Sequence, residues 1–197
     1  MKEHLLSLVR ERRGHFLLES GHHGDLWYQL ETLCSHSREI RPFAARLATQ
    51  LLPYRVEVVC GPLVEGAFIA LLVSLELGCE FVYTERFEDT TREGLFPIAY
   101  RLPRALRPVV HGKRVAIVND VISAGSAVRG TFSDLQALGA GIVAIGALLA
   151  LGDAIGKFTA ENHVALELLE RMPNNLWIPS ECPLCAAGVQ LEIAGTS

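Results

Sequence analysis

The spacing of hydrophobic and polar positions changes several times along the chain, and each change marks an element. Leu5, Leu6, Leu8 and Val9 fall among Lys2, Glu3, Arg10, Glu11 and Arg12 at helical spacing, which predicts an amphipathic helix at the N-terminus. Glycines 14, 21 and 24 then surround two apolar patches that reach Thr32, so hairpin-like extended structure is expected there. Ile40, Phe43, Ala44, Leu47, Ala48, Leu51 and Leu52 restore the helical period until Pro53 stops it. Beyond this the pattern alternates. A β-branched run from Val56 to Cys60 leads through Gly61 and Pro62 into an apolar helix from Gly66 to Leu77, closed by Gly78. Strands follow at Phe81 to Thr84 and Val115 to Val118, a helix at Ser126 to Leu138 and a strand at Ile142 to Leu149. Residues 85–108 carry charges, three prolines and no sustained period, and read as a long excursion from the core. A late helix is expected from Glu161 to Arg171, and no clear element after Pro173. Strands alternating with helices imply right-handed crossovers. The expected fold class is therefore α/β, a central parallel sheet with helices on both faces and N-terminal additions.

The stretch from Ala137 to Gly152 has no polar side chain, yet it is shorter than the roughly 20 residues of a membrane helix and contains four glycines. A helix end followed by a strand buried on both faces accounts for it better, and no membrane association is expected. The 197 residues are half hydrophobic and one-fifth charged, a balance that excludes a disordered chain. A formal charge of -4 provides no global cationic field for nucleic acid. Met1 to Arg13 lacks the uncharged core of a signal peptide, and five cysteines scattered at 34, 60, 79, 182 and 185 suit a reducing compartment, so a cytoplasmic protein is expected.

In an open parallel sheet, ligands gather where the carboxyl ends of strands turn into helix N-termini. The most informative such turn runs Asn119, Asp120, Val121, Ile122, Ser123, Ala124, Gly125, Ser126, Ala127. Small and hydroxyl residues leave backbone amides accessible, Gly125 permits a positive φ, and the free N–H groups of the following helix face the same space. That is the chemistry of a phosphate cradle. Asn119 and Asp120 beside it suit sugar hydroxyls or a metal; the ordinary reading of Asp120 is a helix cap. Phosphate beside carboxylate points to a phosphorylated sugar.

The segment VAIVNDVISAGSAVRG resembles the 5-phosphoribosyl-1-pyrophosphate (PRPP) motif of type I phosphoribosyltransferases, in which two acids precede a hydroxyl- and glycine-rich loop. GHFLLESG from Gly14, followed by Trp27 and Tyr28, is similar to the N-terminal hood of the orotate phosphoribosyltransferases. CGPLVEG from Cys60 lies where that family keeps its pyrophosphate loop, and CPLCAAGV from Cys182 is similar to tails of some members. The resemblance implies a single domain over 1–197, with N-terminal helix and hood in 1–37, α/β core in 38–172 and tail in 173–197. It also implies magnesium, a homodimer, and transfer of ribose 5-phosphate from PRPP to a nitrogenous base, orotate first. Asp120 and Asn119 would be catalytic and, with Val121 to Ala127, bind PRPP. Gly61, Pro62, Leu63, Val64, Glu65 and Gly66, with Arg86 and Arg92, would bind pyrophosphate, and His23 and Tyr28 would face the base.

The chain departs from this pattern in four places. Asn119 is an amide where the first acid belongs; His22 and His23 stand where a lysine follows the Ser-Gly turn; Thr84 to Gly94 contains no lysine; and no arginine occupies Ala150 to Asp153. A phosphoribosyltransferase for another base and a PRPP-binding regulator without turnover are therefore the alternatives. Residues 85–93 read either as a mobile lid or as a solvated loop.

His15, His22, His23 and His36 read as surface-loop residues, because adjacent histidines in an extended segment point opposite ways and His22 and His23 cannot share an ion. Cys182-x-x-Cys185 is a lone pair, and structural zinc needs four ligands, so a structural turn is expected unless His163 or a second chain contributes.

Overall fold

Two sheets organise the chain in the computed structural model, which describes residues 2–88 and 94–193. In chain order the elements are α1 (Lys2–Ser7), β1 (Arg10–Leu17), β2 (His23–Gln29), α2 (Ser37–Leu51), β3 (Val58–Pro62), α3 (Glu65–Leu77), β4 (Glu80–Glu88), β5 (Ile98–Arg101) and α4 (Arg107–Val110). They continue as β6 (Arg114–Ile122), α5 (Ser126–Ala137), β7 (Gly141–Leu151), α6 (Ala154–Glu161), β8 (Ala165–Met172), β9 (Leu176–Trp177), α7 (Pro183–Ala186) and β10 (Glu192–Ile193).

The larger sheet has the order β5-β4-β3-β6-β7-β8, parallel from β4 to β8, with β5 antiparallel at one edge. Its central strands β3, β6 and β7 are buried and mostly apolar on both faces because each face carries helices. Along β6 the side chains divide by period two: Ala116 and Val118 join the core under α2 and α3, whereas Val115 and Ile117 join the core under α5 and α6. Burying each large aliphatic side chain contributes about 1.5–3 kcal/mol, so both layers hold the sheet in place between them. The α/β expectation is met, and residues 137–152 divide into the end of α5 and the strand β7 as expected. Among the described residues no helix is long and apolar enough to cross a membrane.

The smaller sheet, β10-β1-β2-β9, is the hood. Here the expected N-terminal helix is corrected: it stops at Ser7, and Arg10 to Arg13 pair with Leu26 to Gln29 as a strand. The charged run that looked like a polar helix face is an exposed strand segment, whose cross-strand hydrogen bonds outweigh helical spacing.

The expected helix at Glu161 to Arg171 is also corrected. Residues 165–172 form β8, parallel to β7, with Leu166 and Leu168 facing one core and Ala165 and Leu169 the other. Leucines on both faces of an edge strand mimic helical spacing. Residues 154–161 form α6 instead. The excursion after Thr84 is a hairpin, since β4 continues to Glu88 and pairs with β5. The tail, expected to be featureless, contributes β9 to β2 and β10 to β1, both on the hood.

Candidate active site

β6 carries Asn119 and Asp120 to the carboxyl end of the sheet and ends at Ile122; Ser123 to Gly125 then turn the chain into α5. Gly125 has φ 87°, a conformation that side chains with a Cβ resist, and from it the first N–H groups of α5 point outward. Beside this turn lies a cavity of about 200 Å³. One wall is Asn119 and Val121 to Val128; the other is the hood, through Leu18, Glu19, Ser20, Leu26, Trp27, Tyr28 and Leu30. The Ser126 hydroxyl is buried at the start of α5 with no hydrogen-bond partner. An unpaired donor at a helix N-terminus is suited to an anion. The neighbouring Ser123 hydroxyl accepts from Asn174 Nδ2 at 3.4 Å.

Asp120 is 5% exposed. Burial pushes its carboxyl up to about 7; the like charge of Glu65 acts in the same direction, and the backbone N–H groups of Val121 and Asp120 oppose it. Among the described residues no cation pairs with it. Asn119 turns its Nδ2 to the Val121 carbonyl at 2.9 Å, and its Oδ1 rests on Gly66, where a Cβ would overlap it. Asn119 therefore links β6 to the first turn of α3.

The junction of β3 and α3 runs from Gly61 and Pro62, at the end of the strand, through Leu63 and Val64 to Glu65 and Gly66, which open the helix. β3 extends through Gly61 and Pro62, paired with Tyr83 and Thr84, and Leu63 N–H donates to the Thr84 carbonyl at 2.9 Å. The Leu63–Val64 peptide is cis. A Cβ on Gly61 would press into Ala67 and Ala70, so only glycine lets α3 start this close to the strand. Cys34 feels both Asp120 and Glu65; burial first and these carboxylates second push its thiol up to about 11, which leaves it protonated and inert.

The remaining sequence candidates separate. The ring of Tyr28 lines the cavity while its hydroxyl donates to Glu11 Oε2 at 3.1 Å, and burial pushes that hydroxyl up to about 12. Arg86 is held by Glu19 at 3.0 Å and by Glu88 at 3.2 Å, and the Tyr100 hydroxyl donates to the same Glu19. Arg92 lies outside the described residues, as does the middle of the expected lid. His23, expected near the base, is corrected: it is buried within the hood and does not line the cavity, with Nδ1 3.0 Å from His15 Nε2 and 3.2 Å from Cys185 Sγ. Its neighbour His22, just ahead of β2, lies against Ser20 and Phe96 instead. The expectation that His15 and His23 are surface residues is likewise corrected, since they are 1% and 6% exposed.

Sequence reasoning passed over Arg129, one turn into α5. Its guanidinium donates to the carbonyls of Ala124 and Ala154 at 3.4 and 3.2 Å and lies between the rings of Phe96 and Phe158, at 5.0 and 4.4 Å from their centroids. It lines an open groove of about 580 Å³ that shares Ala124 with the cavity. The only signal in the sequence was an arginine four residues beyond the turn glycine, on the same helical face.

No protein-family model matches the chain. Over 199 residues it is 27% identical to an orotate phosphoribosyltransferase of Caldanaerobacter subterraneus subsp. tengcongensis, covering 99% of this chain and 97% of that protein. It is 29% identical over 185 residues to an orotate phosphoribosyltransferase of Thermotoga maritima, covering 93% and 90%. Among solved structures, an orotate phosphoribosyltransferase from Aeropyrum pernix superposes with a TM-score of 0.63 at 19% identity, over 87% of this chain and 90% of that one. The chain has the type I phosphoribosyltransferase fold. An adenine phosphoribosyltransferase from Thermoanaerobacter pseudethanolicus superposes with a TM-score of 0.67 at 18% identity, over 87% and 100%. This fold is thus common to solved structures named for a purine and for a pyrimidine base.

Proposed function

We propose that this protein is a pentosyltransferase that moves the 5-phosphoribosyl group of PRPP to orotate, giving orotidine 5′-phosphate and pyrophosphate. One observation carries the reading: the turn of β6 into α5, with its unpaired Ser126 hydroxyl, opens onto the cavity roofed by the hood, with Asp120 at the same strand end. The near full-length relatives named as orotate phosphoribosyltransferases support the choice of base.

In this reading the amides and hydroxyls from Ser123 to Ala127 hold the 5-phosphate, and Asp120 accepts from the ribose hydroxyls. The ring nitrogen of the base bonds to the anomeric carbon as that carbon's bond to pyrophosphate breaks; the electron pair leaves with pyrophosphate, and the proton of the ring nitrogen passes to pyrophosphate or to water. Positive charge developing on the sugar is stabilised by the Asp120 carboxylate, held in place before the reaction. Asn119, its amide committed to Val121, positions the turn from Gly61 to Gly66, which receives the pyrophosphate. The apolar hood, with Trp27 and Tyr28, excludes water that would otherwise capture the sugar carbon. Arg129, a half-buried cation hydrogen-bonded to backbone carbonyls beside the cavity, is suited to the carboxylate of an anionic base. Arg86 stands at the edge of β4, where charge could be added over the leaving group.

The donor chemistry at the strand end fits magnesium: Asp120 and Glu65 are oxygen donors whose mutual repulsion a hard divalent cation would relieve. Asp120 would hold it together with oxygens of PRPP, and it would neutralise charge on the leaving pyrophosphate. A homodimer and a cytoplasmic location complete the proposal, on the strength of the family likeness.

A second reading, a PRPP-binding regulator without turnover, is favoured by the engaged amide at Asn119 and the lysine-free segment from Thr84 to Gly94. Pyrophosphate release is to be measured with PRPP, magnesium and a panel of bases. Release with orotate supports the proposal; release only with another base changes the acceptor; thermal protection by PRPP without release from any base supports the regulator.

A further inference from the structure

We propose that His15, His23, Cys182 and Cys185 bind a zinc ion that clamps the C-terminal tail onto the hood. The site is separate from the cavity and does not depend on the transfer chemistry proposed above. One ligand atom from each of the four residues lies within 4.8 Å of the others. His15 Nε2 is 3.0 Å from His23 Nδ1, 3.4 Å from Cys182 Sγ and 3.7 Å from Cys185 Sγ, and Cys185 Sγ is 3.2 Å from His23 Nδ1. Tetrahedral zinc, with bonds of about 2.0–2.1 Å to nitrogen and about 2.3 Å to sulfur, requires edges of about 3.3 Å between nitrogens and about 3.5 Å between nitrogen and sulfur. The four edges at His15 and between His23 and Cys185 agree to a few tenths of an ångström, and the other two are no longer than 4.8 Å.

Three features of the surroundings favour a metal. First, His15 Nδ1 lies 2.8 Å from the Val189 carbonyl, which can only accept. The Nδ1 proton is thereby fixed, and Nε2 presents its lone pair to the centre of the cluster, the outer hydrogen bond usual for a metal-bound histidine. Second, two thiolates and two neutral imidazoles around a divalent zinc sum to zero charge. That suits a place where His15, His23 and Cys182 are each less than 7% exposed. Third, the ligands converge from separate elements that the fold brings into register. His15 and His23 are diagonal neighbours on one face of the β1–β2 hairpin. Cys182 and Cys185 flank the first turn of α7 and, being three apart, share one helical side. The chain then returns as β10 alongside β1. Nitrogen and sulfur donors in this number select zinc over magnesium or calcium.

The consequence is mechanical. The ion fastens residues 182–193 to β1 and β2, of which β2 carries Leu26 and Tyr28 into the cavity wall, so its loss loosens the hood and leaves the α/β core in place.

The test is elemental analysis of the full-length protein, purified without chelator and also after apoprotein is reloaded with one equivalent of zinc. About one zinc per chain, retained through gel filtration, is expected. Cobalt in its place should give the visible d–d bands and thiolate charge-transfer absorption of a tetrahedral site. Cys185→Ser alters an exposed ligand and keeps the fold; Cys182→Ser with Cys185→Ser removes both thiolates. At least a tenfold weaker zinc affinity in the first and no bound zinc in the second are expected, with a melting temperature in the wild type that falls on chelation. Absence of zinc after reloading, unchanged affinity in Cys185→Ser, zinc retained by the double variant, or a Cys182–Cys185 disulfide in reduced-cell lysates would each overturn the proposal.

Discussion

The side-chain amide of Asn119 donates to the backbone carbonyl of Val121, two residues further along the same strand, at 2.9 Å. An aspartate cannot make this bond, and its carboxylate would face the carbonyl while adding charge beside Asp120 and Glu65. Asn119→Asp is therefore expected to destabilise the ligand-free protein by about 1–3 kcal/mol, the cost of leaving a buried acceptor unpaired. Thermal denaturation with and without PRPP and magnesium checks this: the loss should shrink when the cation is present. Equal melting temperatures for both proteins in the absence of ligand would show that the bond contributes nothing.

The other end of the same amide makes a second prediction. Asn119 Oδ1 rests against Gly66, so Gly66→Ala must expel the amide or shift α3. Overpacking of this kind costs about 1–3 kcal/mol. If the clash is with Asn119, then Asn119→Ala should restore much of the stability lost in Gly66→Ala, because directly contacting residues couple. Additive losses in the double variant would mean that Gly66 is needed for its backbone alone.

Asp120 sets activity and stability against each other. Its carboxyl is raised to about 7, against an ordinary value near 4, so the folded protein binds more protons than the unfolded chain between those values. Stability consequently falls as pH rises through that window and is level above it. Asp120→Asn removes the charge, and should melt higher than wild type at pH 8, with the difference fading towards pH 4. It should also lower turnover by roughly 10²-fold or more, as expected for loss of a group stabilising transition-state charge. In the wild type, kcat/KM for PRPP should decline as pH drops below about 7. A variant with wild-type turnover would remove Asp120 from the catalytic role.

How far the residues alone disclosed this arrangement depends on where each signal was local. The turn of β6 into α5 was legible because a tight passage from a buried strand into a helix start needs small, hydroxyl and glycine residues at adjacent positions. The apolar strands of the sheet were legible because burial on both faces leaves them almost no polar residue. β8 was not, since leucines alternating between two cores have the spacing of a helix face. The His15, His23, Cys182 and Cys185 cluster was also hidden. Its members are up to 170 residues apart, and the pairings of β9 with β2 and of β10 with β1 bring them together. Arg129 was visible in the sequence but had no meaning until α5 turned it beside the cavity.

Arg129 gives the sharpest test of the base. It is held by two backbone carbonyls and sandwiched between Phe96 and Phe158, and burial lowers its pKa, although Glu161 acts in the opposite sense. A guanidinium so placed gains most from a carboxylate that enters without its water shell, as orotate would. Arg129→Lys retains the charge but loses the planar fork and the stacking, whereas Arg129→Met removes the charge and keeps much of the packing. The loss of a hydrogen bond to a charged group, about 1.5–3 kcal/mol, corresponds to roughly a 10- to 100-fold rise in KM for orotate in Arg129→Met. KM for PRPP should change far less, and Arg129→Lys should fall between the two. Steady-state kinetics with each substrate varied in turn separates these effects. If Arg129→Met raises both KM values alike, the arginine supports the loop at Ala124 and does not read the base.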